Sequence, residues 1–298
     1  EGRTSRLALR RRLATGENLD LQTGVDLGDP AVQKKVLKYL DDYQVLVVIM
    51  SPNCRCVGPP SRLNKSINRA TYKAHLKEDQ PHIAFCGEVA LHKMKRGRHY
   101  FCEQPNPSYL DEVQPWDTVA LHPLQRFVVI DQCMFGQKIR VTQRATRKHK
   151  FFHIKKPTCL RASHVALLTP FMTTDPSGYR IGIRCNGRHE HANAWGTSPN
   201  LRDTQLWTWN FVNCVVEGVM RLRHALGKSK GAIPGYPAIE TQAAGPDIDR
   251  EIGDAPRRRP RRPALNVEGR CAACASNYGK YRREHTRTGD CRYPDVAE

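Results

Sequence analysis

The chain has 298 residues, 39% of them hydrophobic and 26% charged, enough for one medium domain with appendages or two small domains. No window approaches the roughly 18 apolar residues that a membrane span requires, and the apolar run Leu7–Leu9 is too short for a signal-peptide core. Lys and Arg exceed Asp and Glu by 19, a field that concentrates polyanions. DNA or RNA is therefore the expected partner; solubility alone or anionic lipid are the alternatives. Eleven cysteines are an odd number and sit mostly singly in apolar stretches, which suits a reducing, intracellular compartment, nuclear or cytoplasmic. With Glu1 rather than Met at its start, the chain reads as a fragment or a processed piece.

Residues 1–18 form a basic N-terminal arm, a short helix or an unfolded segment, with Arg10, Arg11 and Arg12 adjacent. An amphipathic helix is expected from Ala31 to Tyr43 through Val32, Val36, Leu37 and Leu40, opened by the cap pair Asp29-Pro30. Val45 to Met50 is a continuous apolar run, closed by Ser51-Pro52, as in a strand buried on both faces of a parallel sheet. A long helix over 70–96 follows, with Pro81 expected to start or kink its second part, and then a strand at His99 to Cys102. Val119 to Ile130 is expected to be helical, broken near Pro123, and Ile130 to Gly136 a strand entering a glycine turn. Residues 137–150 are very basic. Apolar pieces at Phe151 to Leu160 and Val165 to Leu168 precede a last helix over Thr204 to Leu226.

This alternation predicts an α/β domain over 19–226 with a doubly wound, mostly parallel sheet. Ligands of such sheets gather outside the carboxyl ends of the strands, where Cys54 and Glu103 would both sit. From 227 to 265 the composition turns to Gly, Pro, Ala and charge without a hydrophobic period, a basic linker expected to be disordered. Its cluster Arg257, Arg258, Arg259, Arg261 and Arg262 suits phosphates.

Residues 266–298 carry Cys271, Cys274, His285 and Cys291 in C-x2-C-x10-H-x5-C spacing, four ligands that suit tetrahedral Zn²⁺. Arg282 and Arg283 would make that module's surface cationic. A second metal group is expected from Cys185, His189 and His191, with Cys159 as a fourth ligand. The third constellation pairs the Cys54 thiol with the Glu103 carboxyl as nucleophile and acid.

The order strand, S-P-x-C loop, helix, strand, E-x-P, then D-Q-C-M-F-G and K-P-T-C-L resembles the cytosine-C5 DNA methyltransferase-like domains of Copia-type retroelement polyproteins. The likeness covers roughly Leu19 to Leu226, and the trailing Cys/His module is similar to segments of the same polyproteins. It implies a truncated Rossmann-type fold, Cys54 attacking C6 of a flipped-out cytosine, Glu103 contacting N3, and S-adenosylmethionine as methyl donor. Asp20 and Asp26 are the acidic candidates for a cofactor contact. Asn53 stands where the family has proline, Gln104-Pro105 where it has Asn-Val, and the glycine-rich first strand and loop have no counterpart. A nucleic-acid-binding segment with a degenerate methyltransferase-like domain is thus the expected function. An active methyltransferase, or an integrase- or Gag-like piece, are the alternatives.

Overall fold

The computed structural model describes residues 2–142, 149–192 and 204–227, and the backbone of residues 284–285 and 291–292. The chain divides into two units, Glu1–Ile239 and Glu240–Glu298. The first contains α1 (Arg3–Arg10), α2 (Pro30–Asp42), β1 (Val47–Met50), α3 (Pro60–Ile67), α4 (Arg69–Lys95), β2 (His99–Pro105), α5 (Trp116–Leu121) and β3 (Arg126–Asp131). It continues with β4 (Lys138–Thr142), β5 (His149–His153), β6 (Pro157–Ala162), α6 (Val165–Leu168), β7 (Met172–Thr174), β8 (Arg180–Gly182) and α7 (Trp209–Ala225).

Four strands form the central sheet in the order β1-β2-β6-β3. β1 pairs parallel with β2, whereas β6 runs antiparallel to both β2 and β3. The sheet is mixed, which corrects the expectation of a doubly wound, mostly parallel one. Parallel neighbours need a long crossover, usually a helix. Such a helix, α4, joins β1 to β2, but only a hairpin of β4 and β5 separates β3 from β6, so β6 returns antiparallel. Because β6 opposes both neighbours, the carboxyl ends of β1, β2 and β3 and the amino end of β6 still meet at one edge.

Side chains alternate across the sheet with period two. Met50, Tyr100 and Cys102 pack on one face against Val36 and Leu40 of α2, Ile83, Val89 and Met94 of α4, and Trp116 of α5. Phe101, Val128, Ile130 and Leu160 pack on the other against Leu167, Phe171, Phe211 and Val215. Helices thus cover both faces of an α/β domain.

Two local expectations need revision. Pro81 neither starts nor visibly breaks a helix; α4 runs through it. Proline removes one helical hydrogen bond, and the buried stripe Ile83, Cys86, Val89, Ala90 and Met94 just beyond it outweighs that loss. The Trp116 indole donates to Ile83 O at 2.8 Å, and α5 comes this close because Gly87 has no Cβ, which would stand 2.9 Å from Pro115.

The second half of the segment expected to be helical is strand β3. Pro123 forces His122 into extended backbone (ψ 131°), and Val128 and Ile130 then alternate inward while Phe127 points out. Of the two alternatives for the N-terminal arm, the structure has the helix, docked on the domain: Ala8 and Leu13 pack with Val216 of α7, and Arg11 donates to Asn213 at 3.2 Å.

Candidate metal centre and the strand-end cleft

β3 ends at Asp131, and a tight 3-10 turn, Gln132–Phe135, follows, closed by Gly136 in the left-handed region (φ 84°). The turn buries Cys133 at the edge of the domain. Residues 183–192 return to the same place. Ile183 O accepts from Asp131 N at 3.1 Å, and the buried Asp131 Oδ2 accepts from Cys185 N at 2.8 Å and Arg184 Nε at 3.0 Å. Gly182 is required at this approach, since a Cβ there would lie 2.1 Å from Val129 O.

The result is a group of four ligand residues. One ligand atom from each of Cys133, Cys185, His189 and His191 lies within 4.8 Å of the other three, and the group can hold a metal ion. Cys185 Sγ is 3.5 Å from Nε2 of both His189 and His191. Zn–S bonds of about 2.3 Å and Zn–N bonds of about 2.0–2.1 Å, meeting at the tetrahedral angle, set S and N about 3.5 Å apart. His153 supports the group: its ring stacks on His189 at 4.0 Å and its Nδ1 donates to Cys133 O at 3.3 Å.

Burial, then the neighbouring Cys185 and Asp131, pushes the Cys133 thiol up to about 12. Burial and the His189 imidazole hold His153 and His191 below the ordinary value, in the neutral form that binds metals. Asp131 Oδ1 is buried with no hydrogen-bond partner among the described residues, which adds negative potential beside the four donors.

Cys133 takes the place expected for Cys159. The latter lies inside β6, paired in register with Gln104 and Val129, and Arg161 is its nearby cation. Nothing in the sequence marked Cys133 except its neighbours in D-Q-C-M-F-G, because its partners are distant along the chain.

Where a ligand cleft is expected, the shared strand edge carries a buried polar cluster. Glu103, buried on β2, accepts from Ser51 Oγ at 2.8 Å and Gln132 Nε2 at 3.1 Å, and pairs with Lys156 Nζ at 3.5 Å. Gln132 Nε2 also donates to Thr158 Oγ at 3.0 Å. Cys54 lies in the loop after β1, where its carbonyl accepts from Val57 N at 3.2 Å and Gly58 N at 2.6 Å. The residue is open to solvent, yet protein crowds its sulfur; this burial pushes the thiol pKa up, opposed by Lys156 and reinforced by Glu103.

Asp79 of α4, a residue the sequence did not single out, fastens the loop. It accepts from Asn53 at 3.0 Å, from Arg55 at 2.6 and 2.9 Å, and from the Cys56 thiol at 3.3 Å. An acidic residue on the buried stripe of a helix is the signal that could have identified it.

Asp20 and Asp26 are exposed and engaged in their own turns. Asp20 caps the 3-10 turn Leu21–Thr23 through Gln22 N at 2.7 Å, and Asp26 accepts from Gly28 N at 2.8 Å.

Cys271 and Cys274, the cluster Arg257 to Arg262 with the rest of the 227–265 linker beyond Gly227, and Arg282 and Arg283 lie outside the described residues. Of the module over 266–298, only the backbone of β9 (Glu284–His285) and β10 (Cys291–Arg292) is described, antiparallel with residues 285 and 291 in register.

These features define a three-layer α/β domain with a mixed sheet, whose strand edge carries a buried polar cluster and a Cys2His2 group able to hold a metal. No protein-family model, curated protein or solved structure matches the chain. No helix among the described residues is long and apolar enough to cross a membrane.

Proposed function

We propose that the chain is a zinc-held, nucleic-acid-binding segment of a retroelement-type polyprotein, in which the methyltransferase-like domain no longer transfers methyl groups. The observation that carries the partner is the charge excess of 19 on 298 residues, which draws phosphate-bearing polymers by counterion release. Zinc is the preferred ion because the S···N separations of 3.5 Å match its tetrahedral bond lengths. The set holds two thiols and two imidazoles, so four protein donors would fill the coordination positions of a bound ion, as in structural sites.

The cluster at Glu103 supports loss of methyl transfer. Every oxygen of Glu103 has a partner within the chain, and the Cys54 thiol is pushed away from the thiolate that would attack a base. The second reading, an active cytosine-C5 methyltransferase, draws on the placement of the Cys54 loop and Glu103 at the ends of adjacent parallel strands.

Purified full chain tests the first reading through its zinc content and through oligonucleotide binding across a salt series. About one or more zinc ions per chain, and an affinity that falls linearly on a log–log salt plot, are expected. A metal-free chain indifferent to oligonucleotides would overturn it. Transfer of labelled methyl from S-adenosylmethionine to a cytosine-containing duplex, lost in Cys54→Ala, would establish the second reading instead.

A further inference from the structure

We propose that the β4–β5 hairpin is a single-strand-binding ribbon, on which Phe151 stacks against one unpaired base while Lys138 and Arg140 meet the flanking phosphates. The proposal rests on the nucleic-acid reading and names the surface that would carry it. From Lys138 to Lys156 the sequence has eight Lys and Arg and no Asp or Glu. That density is local, and five of the eight, Lys138, Arg140, Lys150, Lys155 and Lys156, lie among the described residues.

The strands pair in the register Lys138↔His153, Ile139↔Phe152 and Arg140↔Phe151. Directly opposed residues share a face of the ribbon. One face turns inward through Ile139, which is buried, and there Lys150 lies 4.6 Å over the Phe152 ring and pairs with Glu190 at 3.3 Å. The other carries Lys138, Arg140 and Phe151, all exposed, with 64% of Phe151 open to solvent. An aromatic ring left in water between cations is costly on its own account. It is the element that sequence-tolerant single-strand binding uses, because every base has a face to stack. Paired bases inside a duplex offer Phe151 no such face.

The metal group fixes this ribbon to the domain. Ala192 N donates to His153 O at 2.9 Å, His153 stacks on His189, and Ile154 N donates to Gln137 O at 3.0 Å. The platform is held before the strand arrives, which lowers the ordering cost of binding.

The test is anisotropy titration of the zinc-loaded full chain with an oligothymidine of roughly 16 nucleotides, the upper site size of one single-strand-binding module, beside a duplex of equal length. The single strand binds more tightly. Phe151→Ala weakens it about tenfold, the equivalent of one lost base stack, without changing the salt slope, and Phe151→Trp restores it. Lys138→Gln lowers the slope by about 0.7, one phosphate contact on a single strand. Both side chains are exposed, so all variants melt with the wild type.

Duplex binding as tight as single-strand binding, or Phe151→Ala and Lys138→Gln titrating like the wild type, overturns the hairpin proposal and leaves the nucleic-acid reading standing. A wild-type chain that binds neither probe overturns both.

Discussion

The cluster at Glu103 and the group at Cys133 share one strand edge and one 3-10 turn, yet they differ in how their polar atoms find partners. In the cluster, the chain satisfies itself: Glu103 has a hydroxyl, an amide and an ammonium around it. At the Cys2His2 group, four metal-binding side chains face one another, with the carboxylate of Asp131, paired on one oxygen with Arg184, beside them. Buried polar groups are normally paired within the protein or by a bound ion. The first region has its partners within the chain, and the second is arranged so that it can hold a metal.

The largest test of this contrast removes a ligand at the second region. Cys185→Ser should abolish zinc binding at this group, lowering the zinc content by about one ion per chain, and lower the melting temperature by about 10 °C when free zinc is near a thousand times its dissociation constant, a stabilisation of about 4 kcal/mol in a domain of this size. Metal analysis and calorimetry with and without chelator read it. Wild-type protein whose melting ignores a strong chelator would erase the distinction between the two regions.

Lys93 extends the comparison to a buried cation paired only with a neutral group. It is 1% exposed and donates to Val45 O. Burial, aided by Arg98, pushes it down to about 8. The folded pKa is below the unfolded one, so between about pH 8 and 10.5 the unfolded chain binds more protons and this site's contribution to stability rises with pH. Lys93→Met should remove that rise. The stability difference between variant and wild type would then narrow by about 2–3 kcal/mol across the window, as denaturant unfolding can measure. A constant difference would show that Lys93 titrates as it does in the unfolded chain.

The smallest effect belongs to the self-satisfied cluster. Gln132→Leu deletes the donor shared by Glu103 and Thr158 and should cost about 1–2 kcal/mol, because Ser51 and Lys156 still hold the carboxylate. Zinc content should not change. Loss of zinc in this variant would mean that the cluster and the metal group form one cooperative unit rather than two.

Much of the local structure was legible in the sequence because it is set by neighbours. Asp29-Pro30 opens α2, with Ala31 N donating to the Asp29 carboxylate at 2.8 Å, and the run before Ser51 is β1. Cys185, His189 and His191 were legible as a group, since a single loop carries all three. Cys133 was not, and neither was the role of Asp79, because both depend on segments brought together from far apart. The β3 strand was misread as helix because Phe127 to Ile130 is a short continuous apolar run, which periodicity alone does not assign until β6 supplies a partner.

By itself, then, the sequence determined the α/β composition, the excess of positive charge, most helices and three members of the metal group. These follow from local periodicity, capping and composition, which act over a few residues. Only the tertiary structure decided the direction of β6, the choice of Cys133 over Cys159, and the meeting of Ser51, Glu103, Gln132 and Lys156 at one edge. Each of these depends on pairing between distant strands, whose register is fixed by which faces are buried rather than by any residue's own preference.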